Sequence, residues 1–128
     1  MLAAALLFAA QTAAAPAAPA PAPADTAEAR VLAGEWVVDL SVGANAPYTR
    51  PMRLTLNADG TVAGQFYQST IETGRWKTDR GRTCVSFRTS DGNGPYHTAA
   101  CLVGDRVQGQ TWAEHRNFLF NWNATRAQ

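Results

Sequence analysis

Cys84-Val85-Ser86-Phe87-Arg88-Thr89-Ser90-Asp91-Gly92-Asn93-Gly94-Pro95-Tyr96-His97-Thr98-Ala99-Ala100-Cys101 reads as a β-hairpin closed by a disulfide. Gly92-Asn93 supplies the central pair of a two-residue turn, with glycine first as a type II′ turn prefers. Residues equidistant from that pair face each other across the ladder, so Cys84 meets Cys101. Counted back from the hydrogen-bonded closing pair Asp91/Gly94, the cysteines fall on a non-hydrogen-bonded pair, the closer kind, within disulfide reach. The same register puts Val85, Phe87, Tyr96, Thr98, Ala100 and Leu102 on one face and Cys84, Ser86, Arg88, His97 and Cys101 on the other. The first face is the expected interior.

Period-two alternation continues on both sides of this hairpin. Met52, Leu54 and Leu56 alternate with Arg53 and Thr55; after the turn Asn57-Ala58-Asp59-Gly60, Val62, Gly64 and Phe66 alternate with Ala63, Gln65 and Tyr67. Further strands are expected at 35–42, 70–78, 82–89, 96–103, 106–114 and 117–125, and no stretch carries a capped helical stripe. The fold class is therefore all-β: about eight antiparallel strands in an up-and-down barrel, whose closure removes the edges an open sheet exposes. A two-sheet sandwich is the alternative. A repeated V-x-G-Q-x-aromatic strand, at Val62–Tyr67 and Val107–Trp112, places glycine where barrel walls bend.

The amino terminus points to export. Leu2 to Ala10 is an apolar run far below the roughly 20 residues a membrane span needs, and Ala13-Ala14-Ala15 offers a small-residue cleavage site. Residues 1–15 are read as a signal peptide, 16–30 as an extended Ala/Pro-rich linker, and 31–128 as one domain. Together with the disulfide this gives a periplasmic or secreted location. The 11 Lys and Arg against 10 Asp and Glu leave a net charge of +1, with the arginines scattered along the chain, so no basic stripe for nucleic acid forms.

Catalytic chemistry is not in evidence. His97 and His115, the two histidines, begin neither a triad nor a metal cluster, and with both cysteines spent on a disulfide a zinc site lacks ligands. No cofactor is called for. Asp59, Asp79, Asp91 and Asp105 read as turn residues. Two candidate sites remain. The first is an interior pocket lined by Trp36, Phe66, Trp76, Tyr96, Phe120 and Trp122, with Glu72 and Thr111 as polar anchors for an apolar ligand; the alternative is that these aromatics fill the barrel. Glu72 shares the face of Gly74 and Trp76, which makes it an inward carboxylate unless a bulge turns it. The second is an exposed set, Tyr48, Tyr67, Trp112, Asn117 and Asn121, suited to a protein or a sugar.

Leu32-Ala33-Gly34-Glu35-Trp36, a G-x-W on the first strand, together with Arg126 near the end of the last, resembles the lipocalin–avidin superfamily of calycin barrels. The resemblance implies that Trp36 closes one barrel end with Arg126 packed across it. It does not extend to the full biotin-contacting set of avidins. The L-x-G-x-W opening is also similar to periplasmic metalloprotease inhibitors of the Inh type, from which the mid-domain cysteines depart. The two functional expectations are thus a barrel that takes a small apolar or amphipathic ligand, and an inhibitor that docks on a protease through the linker and one rim. An open interior favours the first; a filled core with an ordered amino-terminal strand beyond the rim favours the second.

Overall fold

A computed structural model describes residues 20–128. In chain order it contains helix α1 (Ala27–Leu32) and strands β1 (Gly34–Asp39), β2 (Thr49–Leu56), β3 (Thr61–Phe66), β4 (Ser69–Thr70), β5 (Glu72–Asp79), β6 (Arg82–Ser90), β7 (Pro95–Val103), β8 (Arg106–Ala113) and, after a 3₁₀ turn at Glu114–Arg116, β9 (Phe118–Arg126). Each long strand pairs antiparallel with the next, the two-residue β4 folds back on β3, and β9 returns to β1 with Trp36 opposite Arg126. The result is a closed eight-stranded up-and-down barrel with one extra short strand. Alternation causes it: on β2 Met52, Leu54 and Leu56 are buried and Pro51, Arg53 and Thr55 are not. On β8, where the sequence pattern is ambiguous, Val107, Thr111 and Ala113 face in and Trp112 faces out.

The hairpin register holds. Cys84 pairs with Cys101, their Cα atoms are 4.0 Å apart, and the two are disulfide-bonded. In the chain-entropy model a loop of this length stabilises the fold by about 3 kcal/mol. The connection is longer than a two-residue turn, because the ladder ends at Ser90/Pro95. Pro95 has no N–H to extend the pairing. Asp91 Oδ1 instead accepts hydrogen bonds from the Asn93 and Gly94 amides at 2.8 and 3.1 Å, while Gly92 takes φ 87°.

Two expectations are corrected. The segment read as linker through residue 30 is built into the domain. Pro23 forms a β-bridge with Asn57, Ala24 N–H donates to the Leu56 carbonyl at 2.9 Å, and α1 begins at the Thr26 cap, whose Oγ1 accepts from Ala29 N–H at 3.2 Å. A six-residue helix does not stand alone in water; burial of Ala29 and Leu32 against the barrel holds it. The signal peptide expected at 1–15 and the first residues of the expected linker lie outside the described residues. The strand expected at 70–78 is interrupted: β4 and β5 flank Ile71, and the β5–β6 register shifts between Glu72 and Arg75. Thr73 there has φ 47°, and the bulge turns Glu72 outward. Among the described residues no helix is long and apolar enough to cross a membrane.

Helix α1 closes one end of the barrel. The Trp36 Nε1–H donates to the Leu32 carbonyl at 2.9 Å. The Arg126 guanidinium lies 3.9 Å from the centre of the Trp36 ring and donates to the Ala33 carbonyl at 2.7 Å and to the Val31 carbonyl. A cation over an indole, bonded to carbonyls at a helix carboxyl terminus, is favourable on both counts.

Candidate functional site

The opposite end is open. Strand direction brings the Ser41–Tyr48 loop, the β3–β4 turn, the β6–β7 loop and the 3₁₀ turn together there, around a cavity of about 560 Å³. Leu40, Phe66, Phe118 and Phe120 supply much of its apolar wall; Thr89, Thr111 and Tyr96 add hydroxyls, and Tyr48, Tyr67 and Asp91 stand at the mouth. Its floor is aromatic. Phe66 packs against Phe87 with ring centres 5.6 Å apart and against Trp122 at 5.4 Å. The Trp122 Nε1–H donates to Thr111 Oγ1 at 3.0 Å, and Thr111 is hydrogen-bonded to Thr98 at 2.9 Å, so the buried indole N–H is satisfied within the wall.

The expected pocket residues divide by height in the barrel. Phe66, Tyr96, Thr111 and Phe120 line the cavity. Trp122 lies beneath Phe66, and Trp36 belongs to the closed end. Half-buried Trp76 donates its Nε1–H to the Asn57 carbonyl at 2.7 Å, fixing the β2–β3 turn. Glu72 is not an interior anchor: it is exposed and paired with Arg88 Nε at 3.1 Å on the outer wall. The barrel is thus filled at one end and hollow at the other.

Of the exposed set, only Tyr48 and Tyr67 come together. Their hydroxyls are hydrogen-bonded, and the Arg50 guanidinium sits 4.1 Å from the centre of the Tyr48 ring and 5.4 Å from that of Tyr67. Trp112 is on the outer wall opposite His97 and Leu119, Asn121 accepts from Gln110, and Asn117 ends the 3₁₀ turn in the left-handed region. Tyr67 and Gln68 form the two-residue turn between β3 and β4 with φ 53° and 69°. That geometry ordinarily recruits Asn-Gly, and it costs about 1–2 kcal/mol per residue that carries a side chain. Because Tyr-Gln is no turn signal, the sequence reading runs a strand through Tyr67.

Asp91 is more than a turn residue. Its Oδ2 accepts from Arg116 Nε at 2.7 Å and from the Tyr96 hydroxyl at 3.0 Å, with His115 Nε2 at 3.5 Å. The Asn93 amide above all, with Arg116, Tyr96 and His115, holds its carboxyl far below the usual range against the opposing effect of burial. The Tyr96 phenol is pushed up, by burial first and by Asp91 second, and the Tyr48 phenol is raised by its bond to Tyr67, so both keep their protons at neutral pH. Asp91, Tyr96, His115 and Arg116, which span the whole of β7 and β8 in sequence, build this rim, and no local pattern announces it.

No protein-family model matches this chain, and neither a curated protein nor a solved structure shows significant similarity to it.

Proposed function

We propose that the protein binds a small apolar or amphipathic ligand in the open half of its barrel, and that it works in the periplasm or outside the cell. The observation that carries this reading is the cavity of about 560 Å³, open at one end and lined by Leu40, Phe66, Phe118 and Phe120 with a few convergent hydroxyls. Binding sites for small molecules have this size and this mixture of apolar wall and sparse polar groups. The compartment rests on the cross-strand disulfide. Kinship with calycin barrels is part of the proposal, supported by Gly34-Glu35-Trp36 and by Arg126 lying over the indole. The open interior favours this reading over the protease-inhibitor one, while residues 22–24, bonded to Leu56, Asn57 and Ala58 beside α1, lie at the end away from the open rim.

Titration with environment-sensitive apolar dyes tests the reading. Wild type is expected to enhance their fluorescence, and Thr89→Phe, which puts a ring into the cavity from β6, to weaken binding at least tenfold. Absence of dye binding by a folded wild type, or equal binding by the variant, overturns it.

A further inference from the structure

We infer that the ligand is an amphipathic acid, with its apolar tail in the cavity and its carboxylate held at the mouth by Arg50 and the hydroxyl pair of Tyr48 and Tyr67. This rests on the ligand-binding reading above and specifies its chemistry. The first argument is the proton count of the tyrosine pair. Two phenols carry two protons, and their mutual hydrogen bond uses one. The other has no protein acceptor among the described residues and stands at the edge of the apolar cavity, available to an incoming oxygen. The Tyr48 phenol is raised, first by its bond to Tyr67, and so stays protonated at neutral pH.

The second argument is charge. Arg50 is half-buried, stacks on both rings, and spends one N–H on the Thr49 carbonyl at 2.9 Å; among the described residues no carboxylate lies within ion-pair distance of it. A guanidinium fork fits a carboxylate in two-point contact. The other charges at this end do not compete. Asp91, the one acid lining the cavity, is neutralised by Arg116 at 2.6 Å and has both oxygens occupied. Glu72 pairs with Arg88 outside, Asp39 takes the Ser41 amide on the outer face of β1, and Glu114 does not line the cavity. Arg50 does not itself line the cavity but stacks on the two tyrosines that do, so a cation without a carboxylate partner among the described residues stands behind the mouth, beside a free phenolic proton.

The third argument is conformational. Tyr67 is carried by a turn in which two consecutive residues with side chains adopt positive φ. Strain of this kind persists where a side chain must be placed, and here it sets Tyr67 against Tyr48 and Arg50.

Decanoate, decanol and decyltrimethylammonium, all below their micelle-forming concentrations, separate the alternatives by calorimetry. Wild type is expected to bind decanoate at least tenfold more tightly than decanol and to bind the cation weakest. Arg50→Gln should abolish the preference for decanoate while leaving decanol affinity within twofold, and Arg50→Lys should retain part of it. The double variant Tyr48→Phe/Tyr67→Phe, which removes both phenolic protons, should weaken decanoate severalfold more than it weakens decanol. Equal affinity for the three ligands, or a preference for the cation, overturns this inference and leaves the binding function standing; no binding of any overturns both. Flotation with phosphatidylglycerol vesicles without binding of free decanoate would assign the site to a membrane headgroup and overturn the inference as well.

Discussion

Gly109 stands directly opposite Trp122 in the β8–β9 ladder, and the missing side chain is what lets the indole lie across the barrel. A Cβ built at residue 109 would fall 2.3 Å from Trp122 Cζ2, inside van der Waals contact with a ring that cannot bend away. The indole in turn supports Phe66 and bonds Thr111, so one absent methyl group positions the floor of the cavity.

Gly109→Ala is therefore expected to destabilise the protein by about 1–3 kcal/mol, the usual cost of overpacking, and to displace Trp122. Urea denaturation gives the first, and a changed near-ultraviolet circular dichroism spectrum the second. Unaltered stability with an unaltered spectrum would mean that the indole does not cross β8.

At the other end, Trp36 and Arg126 act as a closure that ties α1 to both strands of the β1–β9 seam. Deleting a buried aromatic of this kind costs about 3–5 kcal/mol, which for so small a domain is a large share of its stability. Arg126→Met keeps the packing but loses charged hydrogen bonds and the cation–ring contact, for a loss of about 1–3 kcal/mol. Thermal denaturation of Trp36→Phe, Trp36→Ala and Arg126→Met should rank their losses with Trp36→Ala largest. A melting temperature for Trp36→Ala equal to that of wild type would contradict the closure.

Much of this was legible in the chain itself, and the parts that were not share one cause. Strand alternation and the cysteine positions specify barrel, register and inner face because each strand has a dry side and a wet side, and a one-residue slip would exchange them. Helix α1 is too short to show a period, burying only Ala29 and Leu32. The Glu72 bulge depends on Thr73 taking a positive φ that no turn signature marks. The rim of Tyr48, Tyr67 and Asp91, with Arg50 at the start of β2 behind it, is assembled largely by loops, where tertiary context selects the conformation and local sequence says little. Where the barrel is hollow depends on how side chains from eight strands share its volume, which no single strand reveals.

Glu72 provides a direct check on the corrected strand. An exposed ion pair with Arg88 contributes about 0–1 kcal/mol, so Glu72→Gln should leave the melting temperature nearly unchanged and dye affinity within twofold. A large loss of dye binding would return the carboxylate to the interior and remove the bulge from β5.

Asp91 should contribute to the acid limb of stability. Its folded-state carboxyl lies below the ordinary value of 3.8, with the Asn93 amide the first cause and the Arg116 pair helping, so the ionised form is favoured by folding. Such a group contributes its full stabilisation above the unfolded value, and the contribution disappears as the pH falls through that value toward the folded one. Wild type should therefore melt higher than Asp91→Asn above about pH 5, and the gap should close progressively as the pH approaches about 2. Asp39 and Asp59 are also lowered, each by hydrogen bonds from Ser41 and Thr61, but they titrate in both proteins and cancel in the difference. Melting curves of the two proteins at half-unit pH steps measure that gap. A gap that stayed constant across the range would mean that the ionised carboxylate is not what holds the β6–β7 loop against the 3₁₀ turn, and that the loop is fixed by its backbone bonds alone.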